Sequence, residues 1–415
     1  MVIPILSRIY TIEEHGDITT FMALMAVGAS FFTLKYDQAI MVEDDREKAK
    51  TLVKLSSFIN LFFLVISSIT LWIFRHQIST SMGFQVIPLW IFLIPITIFL
   101  TSMVDILMVW WNREKKYNKL SFNKIATFTG SAGYKVLHGT LKFRGPNGLI
   151  LGHTLGQVIS VILFIPKAIF NNLTFNPSLL KQQWTKYKSF RNWAMPGSLI
   201  NVLGTHIPVF LIILFFDRET NGFYGNAMKL TYLPLTQVSY AISQVFFERL
   251  ARIKHERNQA IQLSYNILYF LFFLAIIPVV AMVVWGDAIT PWILGANWGT
   301  AGVMAQIMVL FAFTMYLSSP FAVAFEVYNK LKLQFVFTGL FTVLTALALF
   351  LTLHFTDNIM LGLIAFSAVG IIVRLAMMIA CFKLIGSLPL YKILAGIFII
   401  AVSLLIGFAI RYWLF

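Results

Sequence analysis

Two stretches decide the fold: VIPILSRIYTIEEHGDITTFMALM (residues 2–25) and VFLIILFFDRETNGFYGNAMKLTY (residues 209–232). Each is an apolar helix end, a short charged turn, a glycine, and then a new long helix that ends in a basic loop. Gly16 and Gly222 stand 206 residues apart, about half of the 415-residue chain. A repeat at this spacing predicts two similar helical bundles in parallel topology, with a site between them. The longest polar stretch, NNLTFNPSLLKQQWTKYKSFRNW (171–193), falls between the halves as a linker.

Composition places these helices in a bilayer. The chain is 59% hydrophobic and 12% charged, with a mean hydropathy of +0.80, whereas soluble domains carry about 25% charged residues. Long apolar segments recur from end to end, without the short alternating segments of a membrane barrel. The expected class is an all-α polytopic membrane protein. Its spans read as 17–42, 51–74, 84–111, 121–141, 146–170, 194–216, 222–248, 259–286, 299–325, 327–354, 357–384 and 390–413. Segment 1–10 falls short of the roughly 20 residues that a crossing needs. By the repeat it corresponds to 194–216, so about half of a first helix is expected to be missing. The implied organisation is an N-terminal lobe (1–170), a cytoplasmic linker (171–193), a C-terminal lobe (194–384) and one extra helix (385–415).

The net charge of +15 has a membrane explanation, because cytoplasmic loops are rich in Lys and Arg. Loops on one side, such as REKAKTLVK (46–54) and ERLARIKHER (248–257), hold 22 of the 32 basic residues, and those on the other side hold seven. Lys35, Lys229 and Arg374 fall within spans. This bias puts the richer loops in the cytoplasm and needs no nucleic acid. Cys381, the single cysteine, reads as a packing residue. The start lacks the basic region and cleavage site of a signal peptide. The outer loops DRETN (217–221) and GDAITPWILGANW (286–298) leave no room for an extracytoplasmic catalytic domain. No phosphate-cradling glycine motif, metal-ligand cluster or nucleophile elbow occurs. No catalytic residue, metal or cofactor is expected, and transport without a Walker motif must draw on a gradient.

The run PILSRIYTIEEHGD, a helix ending LKYDQAIMV and the loop EDDREKAKTLVKLS resemble the start of bacterial polysaccharide-biosynthesis flippases. These include O-antigen translocases, within the multidrug/oligosaccharidyl-lipid/polysaccharide exporter superfamily. AMPGSLINVLGTHIPVFLI and GFYGNAMKLTYLPLTQVSYAISQVFFERLAR extend the resemblance to nearly the whole chain. Family members carry more residues before PILSR, which agrees with the truncated first helix. The resemblance implies a MATE-like fold of two six-helix bundles around a central cavity. It implies a polyprenyl-pyrophosphate-linked oligosaccharide, turned by alternating access from the cytoplasmic to the outer leaflet of the bacterial inner membrane. A proton or sodium gradient and polysaccharide assembly proteins come with it as coupling and partners.

A pyrophosphate needs a wet, cationic site, and ionisable residues inside spans are where to look for one. Lys229 lies on a polar stripe with Asn226, Thr236, Tyr240 and Ser243, beside Pro234; helix packing is the bland alternative. Arg374, on a face with Ser367, Gly370 and Cys381, suits bidentate phosphate pairing, against an ion pair with a neighbour such as Asp105. Lys35 shares a helical face with Leu24, Gly28, Phe31, Gln38 and Ala39, while Asp37 lies about 200° round the helix and reads as structural. Asp105 and Glu326 are candidate coupling acids. His153 and His206 read as packing histidines, and Gly148, Gly152 and Gly156 as a close-packing stripe. A cation-coupled multidrug exporter of the same fold would favour cavity acids over these cations. A membrane glycan polymerase or ligase would need a larger outer loop.

Overall fold

The computed structural model describes residues 2–81, 87–141, 147–166, 177–387 and 390–414. Among these, every regular element is helical. The first half holds α1 (Ile3–Ile9), α2 (Ile12–Phe32), α3 (Tyr36–Val42), α4 (Arg46–Ser81), α5 (Leu93–Arg113), α6 (Tyr117–Thr140), α7 (Gly148–Phe164), α8 (Pro177–Lys186) and α9 (Met195–Phe215). The second holds α10 (Arg218–Ile253), α11 (Arg257–Leu294), α12 (Gly299–Ser318), α13 (Val323–Val327), α14 (Leu331–Thr356), α15 (Ile359–Ile385) and α16 (Leu390–Leu414).

Local chemistry sets the ends. The Glu14 amide donates to the Thr11 hydroxyl and the Thr11 amide to the Glu14 carboxylate, a reciprocal cap that starts α2. Asp45 accepts from the Glu47 and Lys48 amides at the start of α4, and Asn358 from the Met360 and Leu361 amides at the start of α15. Gly386 closes α15 at φ 105°, where a side chain would be strained.

Every predicted span is largely helical, with 17–42 and 299–325 each made of more than one helical piece; residues 84–86, 146 and 167–170 of those spans and 171–176 of the linker lie outside the described residues. Eight described segments are long and apolar enough to cross a membrane, and the bent pair α2–α3 makes a ninth. α6 and α10 stand outside that set, because polar and charged residues run along them, and so does α7, whose described helix has 17 residues. The expected outer loop 286–298 is partly helical: the chain kinks at Trp285 (φ −122°, ψ 17°), where the span was expected to end, a second helical stretch runs to Leu294, and Ala296–Trp298 forms a 3₁₀ turn. Apolar packing continues that helix, since Val284, Gly286, Thr290 and Leu294 are all buried.

The chain divides into two compact units, 1–222 and 223–415. This boundary falls one helix later than the sequence-based linker. α9 belongs to the first unit and packs on α2. In that unit α2 crosses the start of α10 with no space to spare. A Cβ added at Gly16 would stand 1.8 Å from the carbonyl oxygen of Arg218, and one at Gly222 would stand 2.1 Å from that of Ile12. Each repeat glycine thus faces the carbonyl four residues before the other, so the contact obeys the 206-residue offset seen in the sequence. Around it, Asn221 Nδ2 donates to Thr20 Oγ1 (2.8 Å), and Arg218 reaches Glu13 (3.0 Å) and Asp17 (3.5 Å).

α8, from the linker, is held against the same unit. The Tyr36 ring stacks on Trp184 (5.1 Å between centroids) and its hydroxyl donates to the Trp184 carbonyl. Buried Glu43 accepts from Lys186 Nζ (2.7 Å) and the Tyr187 hydroxyl (3.1 Å). Burial alone would raise the Glu43 carboxyl; hydrogen bonds from Lys186, the Asp45 amide and Tyr187 outweigh it and hold the group below its ordinary 4.5. A lowered carboxylate stabilises the folded state above that ordinary value and loses this contribution as pH falls through the lowered one. The α8 contact should therefore persist at neutral pH and weaken only below about 4.5. A fluorophore on α8 reads this directly, and Glu43→Gln should abolish the acid transition.

Candidate functional site

Lys35 does not lie on a continuous helix. α2 and α3 meet at 57°, and at the break Leu34 (φ 48°) and Lys35 (φ 61°) both adopt the left-handed conformation. The face predicted for Lys35, from Leu24 to Ala39, is therefore cut in two. α3 is fastened on either side: Thr33 Oγ1 donates to Asp37 Oδ1 (2.5 Å), and Arg113 donates to the carbonyls of Ile40 and Asp44 (3.0 Å each). Asp37 and Lys35 each act electrostatically on Asp105 of α5.

Left-handed backbone costs a side chain about 1–2 kcal/mol per residue. Lys35→Gly and Lys35→Val both remove the charge, but only glycine relieves the strain. Lys35→Gly should be more stable than Lys35→Val by about that amount, read as thermal melting in detergent. Equal melting would show that the break carries no strain.

In the second unit Arg374 lies inside α15. Its guanidinium sits over the Phe341 ring (4.6 Å) and within electrostatic reach of Tyr232. Nε is buried without a hydrogen-bond partner, and among the described residues no ion pair involves Arg374. Gly370, one turn earlier, admits the Phe311 ring that flanks Phe341.

Tyr232 stands one turn beyond Lys229, on the same side of α10. The polar stripe changes character along that helix. Asn226 is fully buried, Lys229 and Thr236 are half-buried, and Tyr240 is 67% exposed. Thr236 donates to its own backbone at Leu233, and the helix runs on through Pro234. Arg374 and Tyr232 interact electrostatically; Tyr240 lies one turn beyond Thr236, toward the exposed end.

Glu326 is exposed on the short α13. His206 is half-buried, and among the described residues no cluster of acids, His and Cys could hold a metal ion. Cys381 is buried in the core of the second unit, as read. A cavity of about 330 Å³ beside α16 is lined mainly by apolar side chains, with Lys392 at its edge. Sequence reasoning did not single out Lys124 and Lys135, which lie within α6. The signal was available in Lys124, Thr127, Ser131 and Lys135, which recur at three- and four-residue steps.

The family model for polysaccharide biosynthesis proteins matches residues 5–303. No curated protein matches. Among solved structures, an inward-facing multidrug resistance MATE family transporter of the MOP superfamily is similar at 13% identity and TM-score 0.71, covering 92% of this chain and 94% of that one. The lipid II flippase MurJ in an inward closed conformation is similar at 13% identity and TM-score 0.66, covering 96% and 93%. A MATE structure in its straight conformation follows at 14% identity and TM-score 0.59, covering 93% and 94%. The common fold is therefore the MATE-like one.

Proposed function

We propose a flippase function from one premise: the chain belongs to the polysaccharide biosynthesis protein family. In this reading a polyprenyl-pyrophosphate-linked oligosaccharide is turned from the cytoplasmic to the outer leaflet of a bacterial inner membrane by alternating access. The reading takes 1–170 and 194–384 as the two repeated bundles.

The observation that carries it is Arg374, an enclosed guanidinium with no ion pair among the described residues. A charge at mid-membrane costs about 2.5–3.5 kcal/mol on insertion scales, and an anionic substrate would offset that cost. Lys229 and Asn226, with Thr236 and Tyr240 further along α10, would line the same route. Lys35, in the first unit, is a further candidate cation. The Asp105–Asp37 pair would carry the coupling proton or sodium ion, with Glu326 a weaker candidate. No chemical step is assigned to any residue. That acid pair is also what a cation-coupled drug exporter would use, which keeps the exporter as the second reading.

Complementation tests the choice. In a strain lacking its polysaccharide flippase, this chain should restore surface glycan without changing drug susceptibility. Drug resistance without surface glycan would favour the exporter.

A further inference from the structure

We propose that the open pocket lined by α5, α6 and α7 binds a phosphate-bearing anion, with Lys135 supplying the charge. The cavity measures about 310 Å³, far above the roughly 15 Å³ that admits one water. Its walls are largely apolar, with Val104, Met108 and Phe128 among them; set into them are Lys135, His153, Gln157, Ser131 and Asn123, with Lys124 exposed at the rim and no carboxylate among the lining residues.

The polar groups divide into a fixed floor and a free wall. On the floor, Asn123 Nδ2 donates to the Ser160 carbonyl, and the Ser160 and Thr127 hydroxyls donate to Asn123 Oδ1. On the wall, His153 Nε2 and Gln157 Nε2 stand 3.5 Å apart, and Lys135 lies within electrostatic reach of His153. Among the described residues, no hydrogen bond or ion pair holds the Lys135 ammonium. Two nitrogen-bearing side chains and a lysine without a counter-ion make a donor set for oxygen anions.

The glycine stripe on α7 gains a second role here. A Cβ at Gly152 would lie 2.4 Å from Lys135 Cγ, and one at Gly156 2.9 Å from Ser131 Cβ. Gly152 is thus the slot along which the lysine stem runs. From Lys124 to Lys135 the α6 side of the pocket extends about 16 Å, enough for a diphosphate as well as a single phosphate.

Two sources share this chemistry: the pyrophosphate of a lipid-linked substrate and the phosphate of a bilayer lipid. The site rests on its own geometry, and the test does not use export, so failure of the flippase reading would leave it standing. Inorganic pyrophosphate is titrated calorimetrically into the purified full chain, and phosphatidylglycerol binding is followed by native mass spectrometry.

Lys135→Gln should weaken binding by about tenfold or more, the size of one charge-assisted hydrogen bond. Lys135→Arg should retain binding, and Gly152→Ala should weaken it with the charge unchanged. Should Lys135→Gln not fold, the Gly152→Ala and Lys135→Arg pair decides the matter. Lys135-dependent pyrophosphate binding supports the site with a substrate headgroup as occupant; dependence for phosphatidylglycerol alone supports it with a bilayer lipid. Binding of neither probe, or binding indifferent to these changes, overturns it.

Discussion

Arg374→Gln should abolish export of the lipid-linked glycan while membrane abundance stays unchanged. Unit charges 4 Å apart interact by about 4 kcal/mol at an effective dielectric of 20, which corresponds to roughly a thousandfold in affinity. Among the described residues no ion pair competes for this guanidinium, so a bound phosphate would receive the full interaction. Arg374→Lys should retain partial export, because the charge survives while the planar fork and its seat on Phe341 are lost. Arg374→Met separates function from structure. It removes a charge that no acid compensates, so the variant should melt higher than wild type while failing to export. Lower melting, with export tracking abundance, would make Arg374 structural.

Gly16→Ala and Gly222→Ala should each collapse the yield of folded protein. The obstacle is backbone: carbonyl oxygens would stand 1.8 and 2.1 Å from the new methyl groups, where ordinary contact begins at 3.4 Å. No rotamer relieves such a clash, so the helices must part by more than 1 Å at the crossing. Overpacking typically costs about 1–3 kcal/mol and occasionally more; parting this crossing also strains the Asn221–Thr20 and Arg218–Asp17 contacts, which puts these variants at the upper end. Gly28→Ala should be milder, because its nearest neighbour is the Ile98 side-chain tip at 2.5 Å, and Gly197→Ala, in open space, should be silent. Size-exclusion profiles and melting in detergent rank the four. Normal folding of Gly16→Ala would remove the close crossing from the account.

The helices were legible because their apolar runs are long and punctuated by Gly, Asn and charged turns. The glycine pair was legible too, since only its spacing was needed to mark it. The break at Leu34–Lys35 was not: neither residue favours left-handed backbone, and the bend follows from tertiary contacts of Asp37, Tyr36 and Arg113 with distant helices. That one break cuts the face on which Lys35 was placed. Lys135 was missed for a different reason. It lies near the end of its span, where sequence reads a lysine as interfacial, and only the glycine slot on α7 turns its stem inward. The linker's docking through Glu43 and Trp184 likewise depends on partners more than a hundred residues apart.

The central claim is that this chain turns an anionic lipid-linked glycan, and reconstitution tests it most directly. Purified wild type and Arg374→Gln are placed in proteoliposomes carrying a fluorescent polyprenyl-pyrophosphate oligosaccharide in one leaflet, and its appearance in the other is followed with a membrane-impermeant quencher. The account predicts transbilayer movement with wild type and only the protein-free rate with Arg374→Gln. Movement at the protein-free rate with folded wild type, or equal movement with both proteins, would contradict it.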